Sequence, residues 1–309
     1  MLVEKASGQG RSANVRRSRG WLWLPAMLSP GVIVGTLLLL SAICTAAMAP
    51  VLGTVDPSRI DPGNRNRKPG TEISVRLDDG SKVTRTALMG TDTLGRDVYS
   101  RVIYGTRVSL FVGVTVAVLA IAIGVFTGLL SGYIRRLDGP VMRIMDGLMA
   151  IPGILLAVAL VSIWRGGLLT VIFAIVVPEV PRVARVVRSI VLSVREEPYV
   201  ESAVSVGTRT WVIMFRHILP NLVPPLIVQG TFLAASAILL EAALSFIGIG
   251  TPPEIPSWGN IMSEGRALFR IQPHNVLYPG VFLAVTVLAI NMIGDGLRDA
   301  LDPTMGEEP

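Results

Sequence analysis

The chain has 309 residues, of which 51% are hydrophobic and only 16% charged, with a net charge of +6. Soluble domains carry about 25% charged residues, so this composition excludes disorder and points to a chain largely dissolved in lipid. The one cysteine, Cys44, excludes an internal disulfide; lying in an apolar run, it reads as a small core hydrophobe.

A hydrocarbon core of ~30 Å takes about 20 apolar residues as helix. The first candidate span is 27–49, after a tail (1–26) holding Arg16, Arg17 and Arg19. Ala47-Met48-Ala49 resembles a signal-peptide cleavage site, but the run is longer than a typical h-region and Pro50 follows, so an anchored helix is the reading. Further candidates are 108–130, 144–163, 167–187, 222–249 and 279–293. About six spanning helices are therefore expected; the fourth is the weakest because Pro178, Glu179, Pro181 and Arg182 interrupt it.

Arginines in the tail, in the loop after the second span (Arg135, Arg136) and after the fourth span fall on one side of a six-helix layout. The positive-inside rule makes that side cytoplasmic and puts both termini there. The segment 50–107 conflicts with the rule, because it must lie outside yet holds ten Lys and Arg. Within it Ile73, Val75 and Leu77 alternate, Asp79-Gly80 favours a type I′ turn and Val83 continues the alternation, predicting a small exposed β-hairpin over 72–85.

Between the fourth and fifth spans, 194–221 is too ordered for a linker. Pro198 suits a first helical position, Gly207 a helix stop, and Thr208 or Thr210 a cap on a second short helix ending at Pro220. Trp211, Met214, Phe215 and Ile218 share one face of that helix. Such a helix–turn–helix either fits a partner's groove or lies on the membrane surface. Arg182, Arg185 and Arg188 form a stripe that snorkels to lipid phosphates or meets an acidic partner. The cations sit at membrane ends without an aromatic platform, which argues against nucleic acid.

No catalytic constellation and no phosphate-binding loop appear, so ATP hydrolysis by this chain is not expected. Asp92 with Asp97, and Asp295, Asp299 and Asp302, read as helix caps and partners of Arg96 or Arg298 rather than metal ligands. Gly124 and Gly128 match the small-xxx-small pattern for close helix contact. Glu241 stands out, since a carboxylate within a span costs ~2.5–3.5 kcal/mol and must face protein or water, as a substrate or proton site or as a structural anchor.

Four stretches carry a family resemblance. Glu201-Ser-Ala-Val-Ser-Val-Gly207 with Arg216-His-Ile-Leu-Pro-Asn221 resembles the coupling-loop signature of ABC importer permeases, with Ser202 where the family form has Ala. The stretches 90–105, 240–250 with Pro256-Ser-Trp-Gly259, and 294–303 resemble the second permease subunit of the dipeptide/oligopeptide/nickel branch. The resemblance implies an all-α polytopic membrane protein of the ABC type I importer permease fold, with a core over 108–303 and a short tail over 304–309. It implies a bacterial inner-membrane location, a homologous second permease, two ATPase subunits that hold ATP and Mg, and an extracytoplasmic solute-binding protein. It places Glu201, Ser202, Ala203, Gly207, Trp211, Phe215, Ile218 and Pro220 at the ATPase. Glu241, Ser245 and Phe246 fall on the translocation path or gate, and Asp92, Arg96, Asp97 and Trp258 in an outer motif. No resident metal or cofactor is implied. A peptide-like solute is the default cargo, with nickel, opines or glutathione as alternatives. A proton-coupled transporter using Glu241, a membrane-embedded enzyme and a membrane scaffold are the rival classes.

Overall fold

The computed structural model describes residues 29–76, 82–164 and 167–301. The N-terminal arginines, the Asp79-Gly80 turn, Asp302 and the tail beyond it lie outside these residues. Helix α1 runs Pro30–Met48 and starts on Ser29, whose hydroxyl accepts from the Val32 amide. Strands β1 (Thr71–Arg76) and β2 (Lys82–Ala87) follow, then α2 (Val98–Tyr133), capped by Asp97. Helices α3 (Arg135–Met149), α4 (Gly153–Ile163) and α5 (Leu168–Val194) come next. Short helix α6 (Pro198–Ser205) precedes α7 (Thr210–Ile213), which passes through a wide turn at Met214–Ile218 into α8 (Leu219–Phe246). Helices α9 (Trp258–Gly265) and α10 (His274–Leu301) complete the chain.

Among the described residues, four helical stretches are long and apolar enough to cross a membrane: Pro30–Val51, Val98–Tyr133, Thr210–Phe246 and His274–Leu301. Helices α3 and α4 meet the same measure only jointly, bent by 89°, and add a fifth if the bent pair is one span. Pro152 at the bend has no amide hydrogen to continue α3 and sits just ahead of α4. The remaining expected span, the fourth, is α5, in which Glu179, Arg182, Arg185 and Arg188 interrupt the apolar run.

Helix α5 supplies the middle of the main core, with Val171, Ile175, Val183, Val187 and Val191 buried. Three glycines of α2 meet three valines of α5 in steps of four residues. A Cβ on Gly124, Gly128 or Gly132 would lie 2.5, 2.6 or 2.8 Å from the Cβ of Val183, Val187 or Val191. The pattern at Gly124 and Gly128 thus marks a real close approach, which extends one turn further.

Cys44 is a correction to the sequence reading: it is exposed, because α1 turns only Gly35 and Ala46 fully inward and leaves Leu37, Leu40 and Ile43 outside. The hairpin pairs Ile73 with Arg85 and Val75 with Val83. It is not wholly exposed, since Ile73, Val75 and Ala87 pack on Val55.

Candidate functional site

The segment 198–221 is held at both ends by the core and exposes its middle. Helix α6 closes on Gly207, which takes φ +79, the left-handed conformation that a side chain resists. The Gly207 amide donates to the Val204 carbonyl at 2.9 Å and the Thr208 amide to Ala203 at 3.0 Å, the double closure of a Schellman end. That closure uses the Thr208 amide, and the cap position of α7 falls on Arg209, so neither Thr208 nor Thr210 caps it. Pro220 does not end a helix either. It sits in the first turn of α8, where a missing amide hydrogen costs nothing, and the chain runs on to Phe246.

The expected aromatic face divides in two. Trp211 and Phe215 are 58% and 59% exposed and stack with ring centroids 6.4 Å apart, whereas Met214 and Ile218 are buried. The five-residue turn at Met214–Ile218 is wider than an α-turn, so the regular helical spacing does not carry Ile218 to the aromatic side. Ile218 therefore cannot enter a partner's groove. Tyr199 stacks on His217 and its hydroxyl accepts from the Asn221 amide at 3.1 Å, tying α6 to the start of α8. Glu201 and Ser202 remain exposed, and Ala203 packs against the core.

At the far end of α8, Glu241 has no exposed surface. Its Oε1 accepts from the Ser245 hydroxyl at 2.7 Å and from Thr251 at 3.4 Å, and Asn260 donates to Thr251 Oγ1 at 2.8 Å. Glu241 and Ser245 are thus enclosed by the loop and α9, not laid along an open path, and Glu241 Oε2 has no hydrogen-bond partner. Phe246 is partly exposed, and its carbonyl accepts from Ser263 and Arg266. This enclosure gives the proton-carrier reading of Glu241 no route to solvent.

The outer motif is a buried ion cluster. Arg96 Nε donates to Asp92 at 2.6 Å and its other nitrogen to Glu264; Arg101 lies 3.6 Å from Asp92 and 3.4 Å from Glu264. Asp97 caps α2 through the Ser100 amide and pairs with Arg85 at 3.3 Å. Burial raises the Glu264 carboxyl above its ordinary value, opposed by Arg101 and Arg96. Trp258 is fully buried, its Nε1 donating to the Val102 carbonyl at 3.2 Å, so it is neither an interfacial anchor nor a surface contact. Arg107 donates to the carbonyls of Ala46 and Ala47. Several of the ten cations that strained the topology rule, Arg67, Arg85, Arg96, Arg101 and Arg107 among them, are therefore bonded internally.

The arginine stripe on α5 meets acids of this chain, with Arg182 and Arg185 still more than half exposed. Arg182 pairs with Glu179 at 2.9 Å, Arg185 with Asp146 at 2.7 Å, and Arg188 with both oxygens of Asp138. A cavity of about 370 Å³ opens beside this stripe at the α3–α4 bend. Ile154, Leu239 and Leu240 give it apolar walls, and Glu179, Arg182 and Ser236 its polar lining. The sequence reading missed Glu264, Thr251 and Asn260; only Arg101 lay within a quoted motif.

Three comparisons bear on these sites. The family model for the binding-protein-dependent transport system inner membrane component matches residues 109–307. A probable peptide ABC transporter permease of Sinorhizobium fredii is 48% identical over 89% of both chains. A dipeptide transport system permease of Alkalihalophilus pseudofirmus is 40% identical over 88% of this chain and 86% of its own. A chain of the inward-facing MetNI methionine ABC transporter superposes with a TM-score of 0.54, covering 65% of this chain and 97% of that one. At 20% identity that match establishes the importer permease fold alone. A match over residues 109–307, with relatives aligned along most of the chain, settles membership: this chain belongs to the family of binding-protein-dependent transport system inner membrane components, transport proteins of the membrane and not enzymes.

Proposed function

We propose that this chain is one of two permease subunits of an ATP-driven importer that carries a peptide or peptide-like solute across a bacterial inner membrane, with both termini cytoplasmic. A homologous permease completes the pathway. Two ATPase subunits, which hold ATP and Mg, dock on α6 and α7, and a solute-binding protein delivers cargo to the outer side. The peptide cargo is taken from the relatives' names. The observation that carries the coupling is the split face: Trp211 and Phe215 stand out to solvent while Met214 and Ile218 fix the same turn in the core.

An ATPase pair can drive transport only if its two states bind the permease with different free energy. A docking surface rooted in the core passes that difference on, whereas a loose loop would absorb it. Here the surface is the first turn of a helical stretch that runs from Thr210 to Phe246. Trp211 and Glu241 are thirty residues apart on it, or ~45 Å at 1.5 Å per residue. Displacement of Trp211 therefore reaches the Glu241–Thr251–Asn260 network through one rod.

The test is uptake of radiolabelled tri-alanine into proteoliposomes holding the whole complex, with ATP inside and no proton gradient. The proposal expects ATP-dependent uptake. Uptake that needs a proton gradient and ignores ATP would contradict it.

A further inference from the structure

We infer that Glu179 and Arg182 form a transient binding step for zwitterionic cargo within the cavity at the α3–α4 bend; this rests on the peptide-import reading above. Both side chains face a space of about 370 Å³ whose remaining walls are mostly apolar. Glu179 is buried, while Arg182 is more than half exposed toward the open side. Their bond of 2.9 Å joins residues three apart on one helix, and Glu179 is also hydrogen-bonded to Ser236 of α8, which lines the same cavity.

A carboxylate suits an ammonium group, and a guanidinium one turn away suits a carboxylate.

A peptide carries both groups. When the cavity is empty, Glu179 and Arg182 neutralise each other, so no lone charge stands in an apolar space. When cargo enters, the internal pair is exchanged for two pairs with the cargo's ends. The internal pair also competes for its own groups and so keeps binding weak, as a passage requires if cargo is to leave again.

The experiment uses the assembled complex in proteoliposomes with tri-alanine as probe. Glu179→Gln should lower uptake about tenfold. The complex should keep its yield, its melting midpoint and its ATPase stimulation by the loaded binding protein. Glu179→Asp should retain most uptake. The double swap Glu179→Arg with Arg182→Glu rebuilds the internal pair with its charges reversed and should stay defective. Wild-type uptake in Glu179→Gln, or recovery in the swap, would overturn the inference; if Glu179→Gln fails to assemble, the swap alone decides. Unchanged tri-alanine uptake by cells lacking this chain would instead bring down the peptide-import reading, and this inference with it.

Discussion

Gly128 of α2 and Val187 of α5 pack so closely that a Cβ on the glycine would stand 2.6 Å from the valine Cβ and 2.7 Å from the Ala184 carbonyl oxygen. The valine can give way only by moving α5, because the second near atom is backbone. Gly128→Leu should therefore destabilise the protein by about 1–3 kcal/mol through overpacking. Gly147→Ala on α3, where nothing lies within 4 Å, should be neutral or stabilise by up to about 1 kcal/mol. Thermal unfolding of the two variants in detergent checks both.

Glu241 is the hub of hydroxyl donors at the C-terminal end of α8. Glu241→Ala removes the carboxyl acceptor for Ser245 and Thr251 and leaves their hydroxyls only each other and Ser257, a loss of about 1–3 kcal/mol. Glu241→Gln keeps one carbonyl oxygen for them and should lose clearly less. The order of the two melting midpoints is the readout; equal midpoints would mean that the network does not hold α9 in place.

Glu264 gives a pH signature. Burial raises its carboxyl from the ordinary 4.5, against the pull of Arg101 and Arg96. A raised acid binds its proton more tightly in the folded state, so its contribution is fully present below 4.5 and is lost as pH climbs through the folded value. Stability in detergent should therefore carry a falling component above pH 4.5, and Glu264→Gln should flatten it. An unchanged profile would exclude Glu264 as its source.

What the sequence made legible was local. The apolar runs located α1, α2, α8 and α10, the alternation at Ile73 and Val75 found the hairpin, and Gly207 marked the end of α6. Contacts distant in sequence were hidden. The Arg188 stripe pointed outward in any helical projection, yet Asp138 on α3 meets it across fifty residues. Nothing local marked Trp258 as buried, because its acceptor, the Val102 carbonyl, is 156 residues away. The split of Trp211 from Ile218 needed a wider turn that no regular period predicts. Family resemblance supplied what residue chemistry did not: the kind of partner proposed for Trp211 and Phe215.

The central claim is that ATP hydrolysis reaches the membrane through α6 and α7, and Gly207 tests it most directly. A valine there must hold φ near +79, which costs about 1–3 kcal/mol and distorts the turn that presents Trp211. The measurement is tri-alanine uptake together with its stimulation of ATP hydrolysis, in proteoliposomes holding the whole complex with Gly207→Val. The prediction is uptake reduced about tenfold or more, with hydrolysis no longer rising when loaded binding protein is added. Normal uptake with normal stimulation would contradict the claim.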